Sequence, residues 1–225
     1  MQRQVIRCLA VTAVCFIVIG PATDVAMADT GAVAGITIGG SSQAVGDSDQ
    51  PYLGPGFGGT TWSSVAFGEA VVRHHWSVGG EASLNGSLTG DQFERVPGGA
   101  NQLMSRHRDS IFSAIVKVRS SGASRFQVAA GGGAGFAWRH TIRVGSFARD
   151  FPPAVLNPVT ETLDDAVPVL TGAVDAVVRA GDRLGIVVLV RLHKLEDEDR
   201  LPDGVLKRGV SSLIVRYGAG VQVQF

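Results

Sequence analysis

Apolar and polar side chains alternate along the carboxy-terminal segment with a period of two. From residue 213 to residue 225 apolar side chains occupy every second position, and mostly polar or small residues, Arg216 among them, lie between. Successive side chains of a β-strand point to opposite faces, so this pattern predicts a strand with one apolar and one polar face. The same alternation recurs in seven further segments, which are 32–41, 61–73, 76–88, 111–119, 126–144, 170–180 and 184–193.

Segments 32–41 and 61–73 fit the alternation less well than the others. In segment 61–73, Glu69 and Arg73 share a face with Val65 and Phe67, so charged and apolar residues are mixed on one side. An extra residue in one strand of an antiparallel pair would shift the faces along the segment. We therefore predict a β-bulge in this segment.

The lengths of the strands and of their connections predict how the strands are arranged. Most segments exceed the five or six residues, roughly, that are usual in soluble sheets, and they reach the roughly 9–11 residues of a transmembrane strand. Short connections near 73–75, 120–124 and 180–183 alternate with long ones at 42–60, 89–109, 145–166 and 197–208. Short turns on one side and long loops on the other are typical of barrels that span the bacterial outer membrane. The sequence therefore predicts an all-β fold, an eight-stranded antiparallel up-and-down transmembrane β-barrel.

The amino-terminal segment has the three parts of a secretory signal peptide. Arg3 and Arg7 precede an apolar run over 8–20, and Ala26-Met27-Ala28 has the small-residue spacing of a cleavage site. We therefore expect residues 1–28 to be removed and residues 29–225 to form the barrel. Both cysteines, Cys8 and Cys15, would leave with the signal peptide, so no disulfide is expected in the exported protein.

Composition and motifs argue against several other classes of protein. Twenty basic side chains balance twenty acidic ones, which leaves no basic excess for binding nucleic acid. The run Gly131-Gly132-Gly133-Ala134-Gly135 lacks the following Lys and helix of a phosphate-binding loop. Ser87 or Ser113 could be combined with His193 and Glu81 only by guesswork, so no catalytic set is predicted. No cofactor or metal site is expected, and the chain is not predicted to be an enzyme.

Many charged residues fall on the face opposite the apolar one and would enter the lumen of a barrel. The lumen of a barrel this small is filled by side chains, and charges enclosed there must pair or contact water. We predict a network of ion pairs with Glu81 and Asp175 as central acceptors, and a narrow pore that favours anions is the alternative. The predicted network comprises Glu81, Lys117, Arg139, Asp175, Arg179, Arg191 and Arg216, with Arg119, Arg143 and Glu69 on the same face.

Large aromatic side chains lie near strand ends or on the apolar face, as in the aromatic girdles of membrane barrels. They are Trp62, Trp76, Phe112, Phe126, Trp138, Tyr217 and Phe225. The last strand, Tyr217-Gly-Ala-Gly-Val-Gln-Val-Gln-Phe225, resembles the final strand of Gram-negative outer-membrane barrels. With eight strands, the whole pattern is similar to that of the OmpA-like outer-membrane β-barrel domain family.

This resemblance implies a location and partners. It implies that Tyr217 and Phe225 are an assembly signal read by the barrel-assembly machinery, and that the barrel contacts outer-membrane lipid and lipopolysaccharide. The chain ends at the barrel, so no peptidoglycan-binding domain and no tether to the cell wall are expected.

The expected role is that of a non-catalytic structural or surface-interaction protein of the outer membrane, acting through its long extracellular loops. Three alternatives stay open at this point. They are a narrow pore or small-ligand transporter, a lipid-modifying barrel enzyme, and a soluble lipocalin-like secreted barrel. In the last, the faces would be reversed, and Glu81, Arg139 and Arg216 would face water.

Overall fold

The computed structural model describes residues 31–45, 59–72, 75–96, 99–120, 125–149, 157–195 and 210–225. The predicted signal peptide and both cysteines lie outside these residues. Among them no helix is long and apolar enough to cross a membrane. The described residues form nine β-strands, which are β1 (Ala32–Val45), β2 (Gly59–Val72), β3 (Trp76–Asn85), β4 (Leu88–Val96), β5 (Gly99–Arg119), β6 (Phe126–Arg149), β7 (Asn157–Arg179), β8 (Leu184–Leu195) and β9 (Val210–Gln224).

These strands close into a barrel because the first strand pairs with the last. Every pairing is antiparallel. Apart from the closing pair of β1 with β9, the pairings join neighbours in the chain, except at β5, where β3 and β4 occupy successive parts of the same edge. Gly86 and Ser87 separate β3 from β4, so these two segments make one interrupted strand. The closing pair runs from Val33 opposite Gln224 to Val45 opposite Val210. The predicted eight-stranded antiparallel barrel is thus confirmed.

Two of the predicted long connections are mostly strand, which corrects the prediction. Residues 89–109 form β4 and the first half of β5, and only residues 97–98 separate these strands. In the predicted connection 145–166, β6 continues to Arg149 and β7 already begins at Asn157. The prediction gave weight to the turn chemistry of Gly and Pro, but hydrogen bonding to a neighbouring strand overrides this local preference. The other two predicted loops lie largely outside the described residues.

The predicted bulge in segment 61–73 is also wrong. β2 pairs without interruption with β1 on one side and with β3 on the other. Val65, Phe67 and Glu69 are all buried on the inner face. Apolar and charged residues therefore share this face of the segment because both kinds of side chain are buried in the lumen.

Within the described residues, four strands extend beyond the part of the barrel in which all eight strands are paired, with β3 and β4 counted as one. We call this extension the projecting sheet, and it consists of β4 (88–96) with residues 99–108 of β5, 139–149 of β6 and 157–168 of β7. Val169 opposite Leu195 is the last pair of β7 with β8 within the described residues, and Leu195 is the last residue described there. Beyond that point β7 keeps only β6 as a partner within the described residues.

Pro168 directly precedes Val169, which with Leu195 forms the last described pair between β7 and β8. The backbone N–H of Arg179 donates to Arg125 on the β6 side, at 2.9 Å. Because successive residues of a strand direct their N–H groups to opposite sides, the even-numbered residues of β7 direct theirs toward β8. Pro158 and Pro168 are even-numbered and have no N–H. The missing donors therefore lie on the side of β7 that faces β8, and proline on that side disfavours strand pairing.

Candidate functional site: the apolar wall and the charged lumen

The outer wall of the barrel is apolar, and β8 shows this most simply. Its residues alternate strictly between exposed and buried from Leu184 to Leu195. The exposed positions Leu184 to Leu192 are all Leu, Ile or Val, with between 45% and 52% of each side chain exposed. The next outward residue is Lys194. Along β9 the outward face carries Leu213 at one end and Phe225 at the other, both exposed.

Aromatic side chains border or interrupt this wall. Six of the seven predicted girdle residues are exposed. Phe112, the seventh, is half-buried because its ring stacks on Phe136, with the two ring centroids 5.1 Å apart. The exposed six are Trp62, Trp76, Phe126, Trp138, Tyr217 and Phe225.

In the half of the lumen nearer the short turns, Lys117 joins carboxylates from two different strands. Its Nζ contacts Glu69 Oε1 and, at 2.5 Å, Asp175 Oδ2. Arg119 Nη2 donates to the other oxygen of Glu69 at 2.9 Å, and Ser77 Oγ donates to that oxygen at 2.8 Å. Lys117 is 2% exposed, so this arrangement is a buried, charge-assisted network that spans the lumen from β2 to β7.

The middle of the lumen is organised by Arg191. Its Nε atom donates to Glu81 Oε2 at 2.7 Å, and its Nη1 atom contacts Asp175 Oδ1. Asp175 therefore accepts from Lys117 with one oxygen and from Arg191 with the other. The strands β3, β5, β7 and β8 contribute these groups. The network therefore connects strands that do not pair with each other in the sheet, such as β3 and β8.

In the part of the lumen nearer the projecting sheet, the buried arginine contacts neutral oxygens rather than carboxylates. Arg216 Nη1 contacts Ser83 Oγ, and Arg216 Nη2 donates to the backbone oxygen of Asp109 at 3.4 Å. The carboxylate of Asp109 lies 2.9 Å from His107 Nε2 and 3.6 Å from Arg139 Nε instead. All of these side chains except that of Arg139 are buried.

An uncharged chain of hydrogen bonds lies between these groups. Ser113 Oγ and Thr171 Oγ1 are 2.8 Å apart, and Thr171 Oγ1 lies 3.0 Å from His193 Nδ1. The structure thus brings Ser113 and His193 near one another through Thr171, while Glu81 is held by Arg191. All three members of the chain are buried within the barrel wall. Within the described residues no three His, Cys, Asp or Glu side chains form a group able to hold a metal ion.

Two apolar clusters fill much of the remaining lumen. One comprises Val33, Val65, Phe67, Val177, Val187 and Leu189. The other comprises Ile111, Ala137, Val167, Val169, Leu195 and Ile214. Together with the polar groups, these side chains come from all eight strands of the barrel, with β3 and β4 counted as one. This is expected for a small barrel whose interior is packed.

The structure places the predicted luminal residues unevenly. Glu81, Lys117, Asp175 and Arg191 form one connected network, and Glu69 and Arg119 belong to it. Arg216 is buried beside this network, whereas Arg139 is half-buried and faces Asp109. Arg179 lies half-buried at the end of β7, and it forms no ion pair with the network within the described residues. The side chain of Arg143 lies outside the described residues.

Asp109 and His107 are luminal residues that the sequence interpretation missed. Both were placed in a predicted loop, although they occupy β5 and continue the inward phase of Ile111 and Ser113. Extending the period-two alternation of β5 backward by two inward positions would have found them.

Comparisons of sequence find no related protein, whereas comparisons of structure find outer-membrane proteins. No protein-family model matches the chain, and no curated protein matches it. Neisserial surface protein A has 8% sequence identity and a TM-score of 0.45, covering 88% of this chain and 99% of that protein. OprG from Pseudomonas aeruginosa has 11% identity and a TM-score of 0.46, covering 87% and 95%. Ail, the attachment invasion locus protein of Yersinia pestis, has 15% identity and a TM-score of 0.42, covering 87% and 99%. With TM-scores below 0.5, the fold of this chain is established by its own strand register.

Proposed function

We propose that this chain is a non-catalytic β-barrel protein of the outer membrane, of the OmpA-like type, which presents the projecting sheet and the connecting loops at the cell surface. The observation that carries this proposal is the pairing of an exposed apolar wall with a buried, charged lumen. Lipid is the solvent that suits such a wall, because a closed barrel satisfies its backbone groups internally and has no free edge within the bilayer.

The dimensions of the apolar wall support a membrane location. Along β8 the apolar run covers eight steps from Leu184 to Leu192, and along β9 it covers twelve steps from Leu213 to Phe225. At about 3.4 Å a step and a tilt of about 40°, these runs span roughly 20 to 30 Å. The apolar band of outer-membrane barrels is about 25 Å tall.

The alternative of a soluble lipocalin-like barrel is wrong about which side chains face the lumen. It required Glu81 and Arg216 to face water, but they are 3% and 0% exposed. It also required apolar residues to line a cavity, whereas Ile186 and Val190 are exposed on the outer wall. A contiguous wall of this kind would be an aggregation site in water.

The projecting sheet supports a role at the surface. Past the apolar wall several of its outward positions are polar, with exposed Arg106 and Arg108 on β5 and the pair His140–Asp164, joined at 2.6 Å, across β6 and β7. Strands that continue about ten residues past the wall extend roughly 25 Å beyond it. Cationic side chains just outside the apolar wall are well placed to contact lipopolysaccharide phosphates.

The carboxy-terminal strand supports recognition by the barrel-assembly machinery. The backbone N–H of Phe225 donates to Ala32 at 2.8 Å, so the last residue helps to close the barrel. Its ring is nevertheless 74% exposed on the outer wall. A ring in this position is available to an assembly factor before closure, and Tyr217 is exposed on the same face of β9.

The location is tested by fractionation and by gel mobility. We expect the protein to sediment with outer membranes and to migrate faster on a denaturing gel before heating than after it, because the closed barrel resists unfolding in detergent at room temperature. Recovery of a detergent-free monomer from the soluble fraction would overturn the proposal.

The assembly signal is tested by deleting Phe225 in cells. We expect the heat-modifiable, membrane-inserted form to fall at least several-fold, because the machinery would lose the terminal aromatic residue. Phe126→Ala is the matched control, since Phe126 is another exposed aromatic residue at the same end of the barrel. The deletion should still refold in detergent from urea, which separates loss of recognition from loss of stability. Unchanged insertion in cells would refute the role of Phe225.

A further inference from the structure

Among the described residues of the lumen, one buried cation has no carboxylate within ion-pair distance. It is Arg216, which is 0% exposed, and within these residues its guanidinium contacts only the hydroxyl of Ser83 and the backbone oxygen of Asp109. Within the described residues no carboxylate oxygen lies at ion-pair distance from it, whereas Lys117 and Arg191 each contact two carboxylates. The Nε atom of Arg216 is buried and has no hydrogen-bond partner.

This position is energetically costly as it stands. A guanidinium does not lose its proton in a protein, so Arg216 cannot escape its charge by titration. A buried charge without a partner is far more costly than a buried pair. The nearby carboxylate of Asp109 already faces His107 and Arg139. Among the luminal side chains that take part in the contacts described above, four are carboxylates and five are Lys or Arg, namely Glu69, Glu81, Asp109 and Asp175 against Lys117, Arg119, Arg139, Arg191 and Arg216.

The neighbours of Arg216 increase its need for a negative charge. Arg191 stands directly opposite it in the pairing of β8 with β9, and like charges in that relation repel. Arg191 Nη2 and His193 Nε2 are likewise buried without hydrogen-bond partners. When Thr171 donates to His193 Nδ1, the proton of the neutral ring lies on Nε2, which is then a donor. Three unused N–H groups thus belong to adjacent luminal positions.

We propose that the lumen binds one small inorganic anion of the chloride type beside Arg216, with Arg191 and His193 as the further donors available to it. An anion satisfies the unused N–H groups and also supplies the missing negative charge, whereas a water molecule satisfies the N–H groups alone. Glu81 Oε1, an unpartnered acceptor in the same region, is the point at which a water rather than an anion would bind. The proposal concerns the folded lumen and does not depend on the surface role proposed above.

The first test uses the wild-type barrel refolded in detergent. Its thermal midpoint is measured in sodium chloride, sodium bromide and sodium gluconate at matched ionic strength, since gluconate is too large for a packed lumen. We expect chloride and bromide to raise the midpoint by several degrees and the effect to saturate, as ligand binding to the native state requires. Equal midpoints in all three salts would overturn the proposal.

Two variants locate the effect. Ser83→Asp places a carboxylate against Arg216, so we expect its midpoint in gluconate to match or exceed that of the wild type in chloride, with no further rise in chloride. Arg216→Gln should also lose the halide effect. Arg119→Gln, which removes a luminal cation that already pairs with Glu69, should keep it. A halide effect of wild-type size in both Ser83→Asp and Arg216→Gln would show that the anion binds elsewhere.

Bromide also allows direct detection in crystals of the wild-type barrel. Anomalous scattering should give a peak in the lumen next to the guanidinium of Arg216, and the peak should be absent in crystals of Ser83→Asp. Peaks at surface positions alone would mean an adventitious ion only and would overturn the proposal.

Discussion

The two halves of the lumen bury charge in different ways. Around Lys117 and Arg191, each cation contacts two carboxylates, and Asp175 is shared between the two cations. Around Arg216 the cation contacts only neutral oxygens. In the first half the buried charges are therefore paired within the protein, whereas in the second half the cation has no carboxylate within ion-pair distance among the described residues. The difference shows that burial alone does not reveal what a charged side chain contributes to stability. Its partners decide whether the charge raises or lowers the free energy of unfolding.

The largest effect is expected from Arg191→Met. The substitution leaves Glu81 without its buried cation and Asp175 with only Lys117, so the free energy of unfolding should fall by about 3–5 kcal/mol. Urea unfolding of the refolded barrel, followed by tryptophan fluorescence, measures this loss. Arg125→Met is the control, because Arg125 is exposed and its side chain bonds only a backbone oxygen at 3.5 Å. A loss below about 1 kcal/mol would contradict the view that this half is closed by ion pairs.

An intermediate effect is expected from Ser113→Ala, at the uncharged chain of hydrogen bonds. Thr171 keeps His193 as a partner but loses Ser113, so the free energy of unfolding should fall by about 1 kcal/mol. Thr162→Ala on the exposed part of β7 serves as the comparison, with no measurable change expected in the same urea titration. If Ser113→Ala were as damaging as Arg191→Met, the hydroxyl chain rather than the ion pairs would dominate the lumen.

The smallest effect is expected from Arg216→Met in gluconate, and this variant distinguishes the two halves of the lumen most directly. Removing a buried cation that has no carboxylate partner leaves no carboxylate unpaired, so the free energy of unfolding should change by less than about 1 kcal/mol or should rise. The same titration in chloride should show a loss relative to the wild type, because the anion would then stabilise only the wild type. A loss in gluconate as large as that of Arg191→Met would show that both halves bury charge in the same way.

Much of the fold could be predicted from the sequence because one physical rule governs it. Side chains alternate between the outer wall and the lumen, so the positions of Glu81, Lys117 and Arg191 followed from the phase of each strand. The extent of the strands could not be predicted in the same way. Glycine and proline near residues 97–98 and 152–158 suggested long loops, but pairing in the projecting sheet depends on neighbours that local sequence does not specify.

Which side chains contact each other in the lumen could not be predicted from the sequence, for a different reason. Arg191 and Glu81 are 110 residues apart in the chain, and Arg216 and Ser83 are 133 residues apart. Which luminal groups meet depends on the register between neighbouring strands around the whole barrel. A shift of one strand by one residue would bring different side chains together. Asp109 shows the same dependence, because its side chain joins the lumen only when β5 extends past the predicted loop boundary.

The pairing of β1 with β9 has a consequence for how the chain reaches its folded form. The strands that complete the sheet lie at opposite ends of the described sequence, so the ring cannot be completed until the last residues have been made. Contacts this distant in sequence make folding slow, because the loop must close before they contribute. The luminal ion pairs then form together and late, and the reverse process must break them together. A chain built in this way should need protection from aggregation before the barrel closes and, once closed, should persist through a high barrier to unfolding rather than through equilibrium stability alone.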